Sequence, residues 1–304
     1  MPKVIVAGSL NMDIVTYVST HPKIGETVLG DDLKYFYWWK GANQAVASAR
    51  LWAQTTMVGM VGNDAHGKDI IKFLEDQGIE NKISTHPDAH TGMGIIAVSK
   101  QTSDNTIVVI SGANFKLSED EVADIKISKW DVLVSQFEIP LQTIQAFFAR
   151  GRKIGTINIF NAAPAREISD KLLDLVDILI VNETELEIIS GIKINIQDIE
   201  TISIAVKKIR KNNQTIIVTL WEKWAIGFMA WEVHKIEGRK VSAVDTTWAG
   251  DCFVGALSAS IANGESIIDA MNFANIAASI CVTKSGAWPS MPMLEEVMKA
   301  FTWD

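Results

Sequence analysis

The chain has 304 residues, 48% hydrophobic and 21% charged, with a formal net charge of −8. Acidic and basic residues are interspersed, which argues against a nucleic-acid surface or an anionic membrane and favours a small molecule as partner. The start, "MPKVIVAGSLNMD", has no signal-peptide cleavage pattern, and no stretch is apolar for long enough to span a bilayer, so the expectation is a soluble, cytoplasmic protein. The two cysteines, Cys252 and Cys281, have no metal-ligand spacing and fit a reducing compartment.

In chain order, "KVIVAG" reads as a buried strand, and "IVTYV" and "GETVLGDDLKYFY" as β-rich segments. "GANQAVASARLWA" is helical, "TTMVGMVG" a strand, and "AHGKDIIKFLEDQG" a helix closed at Gln77-Gly78. "GMGIIAVSK" and "NTIVVISG" form a strand pair across "QTSD". Strand and helix then alternate: "DVLVSQF", "PLQTIQAFFARGRK", "GTINIF", "SDKLLDLV", "DILIVN", "NETELEIISG", "DIETISIAVKKIRKN" and "QTIIVTL". A β-hairpin region over 225–241 and two long apolar helices, "AGDCFVGALSASIANG" and "SIIDAMNFANIAASICVTKSG", complete the chain. This alternation predicts a doubly wound, mostly parallel α/β sheet with helices on both faces. The segments at about 12–37 and 90–110 have no covering helices, which predicts a small second β-sheet acting as a lid.

Three motifs carry chemistry. In "DTTWAGDCFVGAL", Asp251 stands at the start of a long apolar helix opened by Ala249 and Gly250. Free N–H groups and the helix dipole suit an anion there, and a carboxylate beside it can take a proton from a hydroxyl attacking phosphorus; a helix cap explains the same residue equally well. In "NETELE", Asn182, Glu183, Glu185 and Glu187 lie where a parallel sheet presents ligands, and oxygen donors suit water-bound Mg2+. Acidic residues also favour any helix's first turn. In "GSLNMD", Asn11 and Asp13 share one face of an extended chain and suit sugar hydroxyls, or form an Asx turn.

Taken together, "AGSLNMD", "KGANQAVASARL", "NAAPARE", "VNETELE", "AVDTT-AGDCFVGAL" and "GA-PSMP" resemble the ribokinase-like, phosphofructokinase B type, carbohydrate kinase family over nearly the whole length. The resemblance implies a single kinase domain over 1–304 that transfers the γ-phosphoryl group of ATP to a sugar hydroxyl, with Mg2+, a K+-like activating ion and a homodimer formed through the lid. It implies Asp251 as base and the backbone from Ala249 through Gly250 to Asp251 as anion hole. Asn11, Asp13, Lys40, Asn43 and Glu138 become sugar ligands, with Trp39 in the same wall. Asn182 and Glu185 organise phosphates and Mg2+. The nucleotide edge is Thr219, Leu220, Trp221, Glu222, Lys223 and Trp224, with Asn275. Asp245, Thr247, Cys281, Lys284, Gly286 and Ser290 hold the monovalent cation. A nucleoside or other sugar kinase of the same family, and a catalytically dead sugar- or nucleotide-binding protein, are the alternatives.

Tryptophan departs from this pattern: there are ten, against three tyrosines. The resemblance implies glycine at Trp38, Trp39, Trp52, Trp221, Trp224 and Trp248, while Trp130, Trp231, Trp288 and Trp303 fall in turn-like or terminal settings. Glycine sites of this kind need positive φ or close approach of backbone to ligand, and a bulky residue in the left-handed region costs about 1–2 kcal/mol. Three causes fit: a gene in which UGA means glycine but is read as tryptophan, tryptophan engineered into the site, or a natural pocket remodelled to inactivity.

Overall fold

Every residue of the first strand is buried. Val4 and Val6 enter one apolar cluster, Ile5 and Ala7 another. Side chains alternate across a strand, so a strand without an exposed residue needs a covering layer on each face. The computed structural model describes residues 2–38, 40–102, 104–211, 213–220, 224–230 and 232–301, and among these it supplies both layers.

The strands are β1 (Val4–Ala7), β2 (Asn11–Val18), β3 (Gly30–Trp38), β4 (Thr55–Gly62), β5 (Glu80–His86), β6 (Gly92–Ser99), β7 (Asn105–Ile110), β8 (Val132–Gln136), β9 (Ile157–Asn161), β10 (Ile178–Asn182), β11 (Thr215–Leu220), β12 (Trp224–Phe228) and β13 (Val233–Glu237). The helices are α1 (Lys40–Arg50), α2 (Ala65–Asp76), α3 (Glu119–Ala123), α4 (Leu141–Ile154), α5 (Asp170–Leu173), α6 (Glu183–Ser190), α7 (Ile199–Ile209), α8 (Ala249–Ala262), α9 (Ile267–Cys281), α10 (Ala287–Ser290) and α11 (Leu294–Phe301). The large sheet runs β13-β12-β11-β10-β9-β8-β1-β4-β5, parallel except at β12 and β13. Helices α1, α8 and α9 pack on the Val4 face, and α4, α6 and α7 on the Ile5 face. The predicted doubly wound sheet is therefore present.

The predicted second sheet is also present, in the order β3-β2-β6-β7. Differences from the sequence reading are local. Strand β5, "ENKISTH", is an edge strand with a polar, half-exposed pattern that carries no apolar alternation. The stretch "GETVL" has no regular structure, and the strand begins at Gly30. The helix expected over "SDKLLDLV" shrinks to Asp170–Leu173. Among the described residues, no helix is long and apolar enough to cross a membrane.

Helix α8 is buried on nearly all sides, which its weak amphipathicity encodes. It crosses α1 at Gly255, where the Ser48 hydroxyl donates to the Gly255 carbonyl at 3.0 Å. A Cβ at Gly255 would come within 2.6 Å of the Gln44 carbonyl oxygen. The missing side chain sets the distance between the two helices. Gly255→Ala is expected to lower unfolding free energy by about 1–3 kcal/mol, as read by urea denaturation.

Candidate active site

The topology reverses between β1 and β8: the chain leaves β1 for β4 and β5 on one side, and runs from β8 through β9, β10 and β11 on the other. Open α/β sheets bind ligands in the crevice at such a reversal, outside the carboxyl ends of the strands. Ser9 follows β1 and Glu138 follows β8, and the Ser9 hydroxyl donates to Glu138 Oε2. Helix α1 starts against this edge. A Cβ at Gly41 would lie 2.6 Å from the Ser9 nitrogen, so only glycine lets the helix begin there.

Asp251 is buried in the first turn of α8. Its carboxylate is held by two amides of α1: Asn43 Nδ2 donates to Oδ2 at 2.9 Å and Gln44 Nε2 to Oδ1 at 2.9 Å. Gln44 is fixed in turn. Its Nε2 also donates to Asn161 Oδ1 at 3.1 Å, and its Oε1 accepts from Gln136 Nε2 at 2.6 Å. Asn43 Oδ1 is buried without a hydrogen-bond partner, an acceptor suited to a ligand hydroxyl. At the helix start, the Ala249 N–H donates to the Thr246 carbonyl at 3.3 Å. The anion-binding role expected for 249–251 therefore narrows to the N–H groups of Gly250 and Asp251. A Cβ at Gly250 would meet no atom within 4 Å, so this end of the helix faces open space.

Asn11 and Asp13 are both buried on β2, and their spacing puts them on one face of the lid sheet as expected. Asn11 Oδ1 accepts from Asn114 Nδ2, and Asn114 also accepts from the Leu10 N–H at 2.8 Å. The carboxylates of Asp251, Glu138 and Glu185 lie within electrostatic reach of Lys40, and Asp13 acts on Glu138. Burial works against the Lys40 ammonium, but Asp251, Glu138 and Glu185 outweigh it and raise its pKa. Burial pushes Glu138 up to about 7; Lys40 and the Ser9 hydroxyl oppose the rise, while Asp251 and Asp13 add to it. Glu185 is raised by burial, against the Asn182 N–H and Lys40.

Asn182 and Glu185 form a reciprocal capping box at the start of α6, with Asn182 Oδ1 accepting from the Glu185 N–H and Glu185 Oε2 from the Asn182 N–H, both at 2.8 Å. That is the plain helix-start reading of "NETELE". Thr219 donates to the Val181 carbonyl at 3.4 Å and Leu220 is buried. Trp39, Trp221, Glu222 and Lys223 lie outside the described residues, as does the Trp224 side chain. Asn275 donates to the Glu237 carbonyl at 2.8 Å, tying α9 to β13.

The segments around Asp245 and 281–290 meet. Asp245 accepts from the Thr247 N–H at 3.0 Å and from the Gly286 N–H at 3.4 Å, and Cys281 contacts the Ser290 hydroxyl at 3.2 Å. The Lys284 ammonium is taken by Glu296 at 2.6 Å, so only its backbone is suited to a cation. Trp248 is the N-cap of α8 with φ −102°, and its indole N–H donates to Asp245 at 3.2 Å. An unusual backbone conformation at that position, one of the two grounds for expecting glycine, is therefore not found.

Sequence reading missed Ser9, Gln44, Asn114, Gln136 and Asn161. Gln44 stands beside Asn43 in "GANQA", but its partners lie more than ninety residues away. Because Glu138 binds its proton more tightly when folded, stability is expected to fall as pH rises from 4.5 to about 7 and to level off above. Glu138→Gln is expected to flatten that slope in thermal unfolding measured across the same range.

Residues 1–294 match the model of the pfkB family carbohydrate kinases. A ribokinase of Haemophilus influenzae is 37% identical over 97% of this chain and 96% of its own. A deoxyribokinase of Salmonella typhi is 33% identical over 96% of each. A solved structure of Arabidopsis thaliana ribokinase complexed with ribose and ATP superposes with a TM-score of 0.89 at 31% identity, covering 100% of this chain and 99% of that one. The chain belongs to the pfkB family of carbohydrate kinases.

Proposed function

We propose that the protein is an ATP-dependent ribokinase that phosphorylates D-ribose at the 5-hydroxyl. The observation that carries this reading is the Asp251 carboxylate, clamped by Asn43 and Gln44 beside the open N-terminus of α8. Held so, it accepts the proton of the hydroxyl as oxygen attacks the γ-phosphorus in line. The N–H groups of Gly250 and Asp251 then meet the negative charge that develops on the phosphoryl oxygens. Asn11, Asp13, Lys40, Asn43 and Glu138 orient the sugar through its other hydroxyls. Their polarity fits a free pentose better than a nucleoside, which needs an apolar base pocket.

The nucleotide lies along 219–224 and Asn275, with its phosphates directed to α8. Mg2+, bound through water, supplies charge neutralisation on those phosphates. Glu185 fits an outer-sphere role, because its capping bond engages only Oε2. A K+-like ion fits the joined segments of Asp245, Thr247, Cys281, Lys284, Gly286 and Ser290, held mainly by backbone carbonyls.

The lid extends the reading to assembly. Leu33, Tyr35, Ile95 and Val108 are exposed on the face opposite Asp13, and Ile107 and Val109 on the same face as Asp13. A second copy, lid against lid, would cover this apolar surface. The residues of 1–304 act as one kinase domain with this lid.

Asp251→Asn preserves size and is expected to lower kcat by about 10²–10⁴-fold while ribose still binds, measured by ribose 5-phosphate formation and calorimetry. Turnover at the wild-type rate would refute the assignment. Ile95→Asp combined with Ile107→Asp, one on each lid face, is expected to yield monomer by light scattering at concentrations where the wild type is dimeric.

A further inference from the structure

Two non-glycine residues among the described residues have positive φ, and both are tryptophan: Trp52 at 69° and Trp130 at 74°. This region disfavours every side chain with a Cβ, and Asn and Asp tolerate it best. With ten tryptophans in 304 residues, a random draw does not select tryptophan twice.

The local hydrogen bonding says which residue belongs there. At the end of α1 the Trp52 N–H donates to the Ala49 carbonyl at 3.1 Å, and the Ala53 N–H to the Ser48 carbonyl at 3.1 Å. This is a Schellman motif with Trp52 in the left-handed position. The same pair of bonds closes α2 around Gly78 (φ 74°) and α8 around Gly264 (φ 92°). Trp130 is third in the turn closed by the Asp131 N–H on the Ser128 carbonyl at 3.2 Å, where positive φ again calls for glycine. Neither ring is packed into the interior: Trp52 is 77% and Trp130 59% exposed, and the Lys129 ammonium lies 4.8 Å from the Trp130 ring centroid.

A third tryptophan is crowded instead. The rings of Trp288 and Phe73 stack with centroids 3.3 Å apart, closer than the roughly 4.5–7 Å that aromatic pairs adopt. A fourth, Trp248, occupies a helix N-cap, a place that favours Ser, Thr, Asp, Asn or Gly. Removing the side chain relieves positions 52, 130 and 288, and the first two call for glycine's backbone freedom.

We infer that positions 52 and 130 are glycine in the protein the cell makes, and that one cause extends this to all ten tryptophans: the codon UGA, which different genetic codes read as tryptophan, glycine or stop. The inference stands on backbone geometry and is independent of the ribokinase reading. It returns bare main chain to position 248 at the start of α8.

Tandem mass spectrometry of peptides from the native protein, isolated from its source cells, is the test. Glycine at all ten positions is expected. Tryptophan at 52 or 130 overturns the inference, and tryptophan at any of the other eight overturns the single-codon cause. Recombinant protein gives an orthogonal readout. Trp52→Gly and Trp130→Gly are each expected to raise the unfolding midpoint by a few degrees; a fall in either variant contradicts the assignment.

Discussion

The site depends on one interaction: a carboxylate buried at the mouth of α8 accepts an amide from each of two consecutive residues of α1. A hydrogen bond to a charged group contributes about 1.5–3 kcal/mol, yet the geometric consequence matters more. Two donors on two oxygens fix the carboxylate plane. The crossing of α1 and α8 at Gly255 fixes the donors, and Gln136 and Asn161 fix Gln44. A carboxylate placed this way is oriented before any ligand arrives.

The same packing collects negative charge. Glu138, Glu185 and Asp251 surround Lys40, and Asp251 and Asp13 act on Glu138. Burial favours the neutral form of Glu138 and Glu185, and neighbouring like charges add to that tendency. Glu138 rises to about 7 because burial outweighs the opposing effects of Lys40 and the Ser9 hydroxyl. A carboxyl titrating near neutrality can accept or donate a hydrogen bond according to its proton. Lys40 keeps its charge, so the pocket retains a cation.

Tryptophan at glycine sites is a conflict between local chemistry and global fold. In every other respect the levels agree: apolar alternation, caps and helix faces point to one architecture. The helix ends repeat one device, with glycine in the left-handed residue after α2, α4, α6 and α8, and tryptophan only after α1. A conflict confined to a single residue type points to how the residue is specified rather than to selection on the fold.

The strand and helix order, the uncovered lid segments and the acid at the start of α8 were all legible in the sequence, because period, caps and turns are properties of neighbouring residues. The edge strand "ENKISTH" was not, since an edge facing water leaves no apolar alternation to read. The amide network was invisible for another reason. Asn43 and Asp251 are 208 residues apart, and nothing within either segment says which helix will cross it. Only the sheet order, reversing between β1 and β8, brings Ser9 to Glu138 and α1 to α8, and so turns scattered polar residues into one pocket.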